Sequence, residues 1–174
     1  MRKPEVDWTR TWEMMNSRGL DAEKTTFLFK LLHNILPLNS RLHRMNILES
    51  PFCSHCPHNI GEDSCHAFLA CDYNGYANDW IITALIDIDD SLAHEELTPS
   101  NIATLNFNVA PETRLSVVWF LASVFPLIWE ARKLRKPVSV FKMSRTIAAD
   151  IAILRNTKHQ KAANKIELAL HFSF

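Results

Sequence analysis

All four cysteines of the chain fall within residues 51–72, PFCSHCPHNIGEDSCHAFLACD, together with three of its eight histidines. Cys53 and Cys56 form a C-x2-C pair, a turn short enough for two thiolates to reach one metal ion. After nine intervening residues, His66 and Cys71 form an H-x4-C pair. Three soft thiolates and one imidazole suit tetrahedral zinc, and a closed CCHC shell leaves no coordination position for a substrate. The spacing therefore predicts a structural Zn2+ site on Cys53, Cys56, His66 and Cys71 rather than a catalytic one.

The ligand set has competitors. Cys65 sits beside His66, so an all-cysteine C-x2-C-x8-C-x5-C site is also open, and His55 and His58 are further donors. Neighbouring residues in a tight turn or helix start point in different directions, so only one of Cys65 and His66 can face the metal. His66 is the better fit, because Phe68 two residues on would pack an aromatic ring under the site. Buried thiols or two disulfides are the plainer readings. The C-x2-C loop is too short to pair readily within itself, and the opening MRKPEVDWTR has charge with no apolar stretch behind it. An intracellular chain, nuclear or cytoplasmic and not secreted, is expected.

Helices must position this cluster. Three glycines in 174 residues argue against a sheet full of tight turns, and 47% apolar residues suffice for a core. Trp8, Trp12 and Met15 share one face of a segment over 8–16, which breaks at Ser17, Arg18 and Gly19. Asp21 can cap a second helix with Phe27, Leu28, Leu31, Leu32 and Ile35 inward, and Lys24, Lys30 and His33 outward. Pro37 should stop it. Asn39 or Ser40 then caps a short helix with Leu42, Met45 and Ile47 on one side and Arg41 and Arg44 on the other.

Beyond the cysteines a helix is expected over 77–86, then an acidic irregular stretch over 87–108 that includes Asp89 and Asp90. Pro111 and Glu112 should open a helix carrying the longest apolar run, 115–129, with Trp119 and Trp129 in the core and a kink at Pro126. At about fifteen residues that run falls short of the roughly 20 needed to cross a bilayer, so no membrane partner is expected. A last helix is expected over 138–154, followed by a frayed polar and basic tail over 155–165. The fold class is mainly α, a helical domain with a small zinc-knuckle-like lobe. Its parts are 1–48, 49–75 and 76–174, expected to form one compact unit.

The zero net charge conceals three blocks: +3 over 1–48, −11 over 49–113 with no lysine or arginine, and +8 over 114–174. Either the acidic middle pairs with the basic end inside the fold, or the basic flanks face nucleic acid. Guanidinium groups bind phosphate oxygens without reading sequence. Arg41 and Arg44 before the metal site, and Arg132, Lys133, Arg135 and Lys136 in the basic exit RKLRKP, are the candidate nucleic-acid contacts.

Several of these features recur together elsewhere. The Lys30-Leu31-Leu32-His33 run, Leu36-Pro37, Arg41-Leu42-His43-Arg44, both halves of the metal site and the tryptophan-bearing helix over 117–132 form one pattern. It resembles the zinc-binding segment that follows the reverse transcriptase domain in non-LTR (LINE-type, Jockey-like) retrotransposon polyproteins. The pattern spans most of the chain, and the metal half is its specific part. The resemblance implies a non-catalytic module that holds template RNA or target DNA during target-primed reverse transcription, with the rest of the polyprotein as partner. No aromatic-x-Asp-Asp polymerase signature and no endonuclease region is present, and Asp89-Asp90 lacks that context. Neither a nucleophile–base spacing nor a Gly-rich phosphate loop suggests an enzyme. The alternative is a zinc-stabilised protein-interaction module, a retrotransposon relic that meets a basic partner with residues 87–96.

Overall fold

A computed structural model describes residues 8–15, 20–93, 99–105, 107 and 109–172. The helices are α1 (Trp8–Met15), α2 (Ala22–Leu32), α3 (Asn39–Arg44), α4 (Gly75–Ile88), α5 (Pro99–Thr104), α6 (Pro111–Lys133), α7 (Val140–Arg155) and α8 (Gln160–Phe172). A π-helical turn (His66–Ala70) and a 3-10 turn (Asp72–Asn74) lead into α4, and a further 3-10 turn (Asp90–Ala93) follows it. Among the described residues there is no strand; an isolated antiparallel bridge joins Phe52 and Gly61. The chain is mainly helical, as its pattern predicts. The expected break at 17–19 and the acidic residues Glu95 and Glu96 lie outside the described residues.

Helix α6 is the central element. Pro111 occupies its first turn, where a missing amide costs nothing. Val117, Val118, Phe120, Leu121, Val124, Phe125 and Ile128 are all buried, so the helix is apolar nearly all round, the pattern of a helix enclosed by others. Helices α2, α7 and α8 pack around it. The helix stays continuous through Pro126. It also outruns the apolar stretch: over 113–133 it is long and apolar enough to cross a membrane, with 72% of that window buried inside the fold. Trp119 is buried and Trp129 packs against the same core.

Three helix exits share one device. Asn34, Asn46 and Arg135 have φ of 51°, 56° and 50°, just past the ends of α2, α3 and α6. Beyond each, the next amide reaches back to a carbonyl five residues earlier: Ile35 to Lys30, Ile47 to Leu42 and Lys136 to Ala131. This is the Schellman closure, usually made with glycine in the left-handed region. Asparagine tolerates that region better than most residues, and in a chain with three glycines it takes the role twice. Asn34, not Pro37, therefore ends α2. Ile35, expected inward, is left exposed, as are Met45 and Ile47 beyond α3.

Two further expectations are corrected. The tail over 155–165 does not fray: it turns into α8, which buries Ala162, Ala163, Ile166 and Ala169 against α4, α6 and α7. Its small residues permit a close approach that a search for large apolar side chains overlooks. Lys24 does not face solvent. Its ammonium donates to Asp150 on α7 at 2.8 Å and to Asp21, the N-cap of α2, at 2.6 Å. Asp150 also accepts from Ser123 of α6 at 2.5 Å, so one buried carboxylate ties three helices.

Candidate metal centre

The lobe begins as a tight loop. Cys53 N–H donates to Ile60 O at 2.8 Å and Glu62 N–H to Pro51 O at 2.9 Å, closing a hairpin-like turn around residues 54–59. Asn59, with φ of 50°, sits at its bend. Inside the turn His55 N–H points at Cys53 Sγ, 3.4 Å away. Asp63 then caps the following turn, its Oδ1 accepting from His66 N–H at 2.9 Å.

The turn after it is wide rather than α-helical, and the spacing explains why. Residues five apart on an α-helix diverge by about 140° in direction. The i→i+5 hydrogen bonding of a π-turn brings them nearly into line. His66 begins that turn and Cys71 immediately follows it, so an H-x4-C pair can face one point.

Four donor atoms converge there. The ligand atoms of Cys53, Cys56, His66 and Cys71 all lie within 4.8 Å of one another. Cys53 Sγ is 3.8 Å from Cys71 Sγ, and Cys56 Sγ is 3.4 Å from His66 Nε2. Tetrahedral zinc, with bonds of about 2.3 Å to sulfur and about 2.0 Å to nitrogen, would set those separations at about 3.8 and about 3.5 Å. The donor set and its spacing thus fit a four-coordinate metal ion, and no disulfide joins any of the four cysteines.

The competing donors are placed elsewhere. Cys65 lies outside the cluster and packs against the main core, where burial and then Asp63 push its thiol pKa upward. His55 meets Tyr73 at a tilt, with ring centroids 5.3 Å apart. His58 pairs with Asp72 at 2.5 Å on the surface.

Electrostatics differ across the cluster. Burial would raise the Cys53 thiol, but the His55 N–H, the Arg132 guanidinium and the Cys56 N–H together hold it below the usual value. Burial, aided by the neighbouring sulfurs, pushes Cys71 up to about 12. Burial lowers His66, favouring the neutral imidazole that a metal ion needs.

Beneath the cluster lies a group that spacing does not reveal. Glu62 and Arg132 are 5% and 3% exposed and form a buried ion pair between the lobe and α6. The same guanidinium nitrogen, Nη2, lies 3.4 Å from Cys53 Sγ. The second carboxylate oxygen of Glu62 accepts from Asn39 N–H at 2.9 Å, satisfying the first turn of α3, whose N-cap Leu38 has no side-chain acceptor. Around it, Asn39 Nδ2 donates to Phe52 O at 2.6 Å and Ser40 N–H to Glu62 O at 3.3 Å. A Cβ on Gly61 would sit 3.3 Å from Ser40 Oγ, so glycine permits this approach. Glu62 thus joins the lobe, α3 and α6.

Arg132 is expected from the sequence among the nucleic-acid contacts, and its place is a correction. The penultimate residue of α6, it points inward because Glu62 and the Cys53 sulfur accept its hydrogen bonds. Lys133, Arg135 and Lys136 remain exposed. Arg41 donates to Ile35 O at 3.1 Å and Arg44 to Ser40 O at 3.3 Å, which fixes both side chains along α3 while Arg44 stays exposed. The acidic middle and basic end meet at Glu62–Arg132 and at Asp89–Lys165, the latter 3.7 Å apart.

Phe68 anchors the π-turn to the body. It is fully buried, stacks on Phe125 of α6 at 4.8 Å between centroids and meets Phe27 of α2 edge-on at 5.9 Å. Phe68→Ala should destabilise the protein by about 3–5 kcal/mol, the usual cost of emptying an aromatic site. Denaturant unfolding of the metal-loaded chain measures it, and a loss under about 1 kcal/mol would mean the lobe is not held through this ring.

Compared with family models, with curated proteins and with solved structures, the chain matches none.

Proposed function

We propose that the chain is a non-catalytic, zinc-stabilised nucleic-acid-binding module of the type that follows the reverse transcriptase domain in non-LTR retrotransposons. The observation that carries this reading is the convergence of Cys53, Cys56, His66 and Cys71 within 4.8 Å, with no fifth donor joining them among the described residues. A closed N/S shell of this kind stabilises a fold and leaves no position for catalysis. Zn2+ would be held by those four side chains and would supply folding free energy. The chain's own part is to present cations: Arg41 and Arg44 on α3, and Lys133, Arg135 and Lys136 where α6 ends. These sit at the two elements that Glu62 clamps to the lobe, so folding the lobe would fix their relative placement. The ligand class is template RNA or target DNA, bound through phosphates, inside the cell and beside the rest of a reverse transcriptase polyprotein.

Salt-dependent binding tests this. Each phosphate neutralised should contribute a slope of about −0.9 on duplex DNA, or about −0.7 on a single strand, in log affinity against log salt. The paired substitutions Arg41→Glu and Arg44→Glu should weaken binding at least about tenfold and flatten that slope. Unchanged affinity with zinc content and unfolding midpoint preserved would remove α3 from the interface and sink the reading.

A second reading, a zinc-stabilised protein-interaction module, draws on the exposed apolar side chains of Met45, Ile47, Leu48, Phe52 and Ile60 beside the lobe. Under it, binding to nucleic acid would be absent at any salt concentration.

A further inference from the structure

We propose that the first half of α7 is a contact for single-stranded nucleic acid. Phe141 would stack on a base, and Lys142 and Arg145 would hold the flanking phosphates. This narrows the nucleic-acid reading above and rests on it.

Phe141 is 70% exposed although the chain has a large apolar core to receive such a ring. Its surroundings are not those of a stray surface residue. Arg145, one helical turn on, places its guanidinium carbon 5.8 Å from the ring centroid, and Lys142 is the next residue along. A planar aromatic face beside a planar cation is the arrangement on which unpaired bases stack. Ser139 fixes the ring's position by capping α7, its hydroxyl accepting from Lys142 N–H at 3.3 Å. Two hollows flank Arg145. One of about 410 Å³ is lined by Phe141, Lys142, Thr146, Ala149 and Asp150, and another of about 360 Å³ by Ser144, Ala148, Ile151, Arg155, Glu167 and Leu170.

The carboxylates that line these hollows, Asp150 and Glu167, are each already paired. The approach to α7 brings the exposed Arg135 and Lys136. The acid on α7, Asp150, is turned inward and held by Lys24 and Ser123. Glu167 on the facing α8 is engaged by Arg155. A polyanion therefore meets Lys142 and Arg145 at the ring, with the neighbouring carboxylates already engaged. An apolar protein partner would find a single exposed ring with lysine and arginine at its rim. A duplex would offer phosphates but no free base face, since its bases are stacked on one another. The single strand supplies both parts.

The test uses the full chain loaded with zinc, a labelled oligoadenylate, and a DNA duplex of the same length, with binding read by fluorescence anisotropy. Phe141→Ala should weaken binding to the single strand by about tenfold or more and leave duplex binding unchanged, whereas Phe141→Trp should retain it. Lys142→Gln with Arg145→Gln should reduce the single-strand salt slope by about 0.7 for each phosphate no longer neutralised. Phe141 is exposed, so these variants should keep zinc content and unfolding midpoint, which are measured alongside. Unchanged single-strand affinity in Phe141→Ala, while Arg41→Glu with Arg44→Glu abolishes binding, would overturn this proposal and leave the broader reading standing. Equal losses on single strand and duplex would overturn the stacking role. Failure of the wild type to bind either oligonucleotide would overturn both, and Phe141-dependent self-association in that case would make the ring a protein contact.

Discussion

Stripping the metal with a chelator is expected to unfold residues 51–66 while leaving the packed helices α6, α7 and α8 in place. The lobe has few apolar side chains of its own to hold it. Its buried apolar set is Cys53, Cys56 and Cys71 with Tyr73 beside them, a cluster separate from the main core, and Phe52 and Ile60 face solvent. Structural zinc in small lobes contributes an apparent 10–16 kcal/mol, roughly, far above what so few apolar side chains can offer. Without the ion, Cys71 would stay protonated in a buried site, its thiol pushed up to about 12, next to two further unpaired sulfurs. The main core, by contrast, buries its large side chains on α2, α4 and α6 through α8 independently of the sulfurs.

The measurement is zinc per chain by elemental analysis together with amide exchange. Wild type should carry one zinc ion. Cys53→Ser, His66→Ala and Cys71→Ser should each lose it and expose the amides of Cys53 and Glu62, which bond within the loop. Cys65→Ser should keep it, because that thiol faces the core. Loss of zinc on Cys65→Ser would move the fourth ligand to Cys65, and unchanged protection of the loop in metal-free protein would end the structural-metal reading. Far-UV circular dichroism should change little, since the lobe holds few of the helical residues.

How far the sequence foretells these features depends on what each residue's role requires. Ligand spacing is local chemistry, so C-x2-C and H-x4-C can be read directly, whereas Phe68, expected under the site, packs in the main core. The choice between Cys65 and His66 cannot be settled by spacing alone. It needs the π-turn, and a π-turn has no residue signature of its own. Helix existence is legible from periodicity, whereas the end of α2 is not: a proline is in view at 37, while the stop comes from Asn34 in a left-handed conformation. Helix α8 is hidden because its inward face is built largely of alanine, which reads as neutral in a polar, basic context.

Long-range pairing is the least accessible feature. Lys24 and Asp150 stand 126 positions apart, and nothing local announces that a lysine on an apparently solvated face will pair with a carboxylate that ties three helices. Arg132 shows the same limit with a functional consequence. In RKLRKP it looks like one more cation of a basic exit, and its neighbours behave so. Only the placement of the lobe against the end of α6 turns it inward. The one sequence hint is Glu62, an acidic residue within the metal motif with no obvious use there.

That pair carries the second large expected effect. Arg132→Ala should destabilise the metal-loaded protein by about 3–5 kcal/mol, because it strands the Glu62 carboxylate in a site that water does not reach. The side chains are 2% and 7% exposed, so solvent screening offers little relief. The substitution also removes a donor from Cys53 Sγ, and loss of such outer-shell partners typically lowers metal affinity about 10–100-fold. Arg132→Lys should not restore either property, since an ammonium lacks the planar fork that reaches carboxylate and sulfur at once. Glu62→Gln keeps an acceptor for Asn39 N–H but discharges the pair. Arg132→Met combined with Glu62→Gln should therefore cost less than the two single changes added together, a coupling of the sign expected when one charge no longer strands the other. Denaturant unfolding of the four proteins closes the cycle, and competition with a zinc chelator reads the metal affinity separately. Additive costs, or a loss for Arg132→Ala no larger than about 1 kcal/mol as for a surface pair, would return Arg132 to the exposed basic exit. A large cost with unchanged zinc affinity would confine its role to joining α6 to the lobe. A large cost with weakened zinc binding would make Arg132 the residue through which the metal site and the central helix stabilise each other.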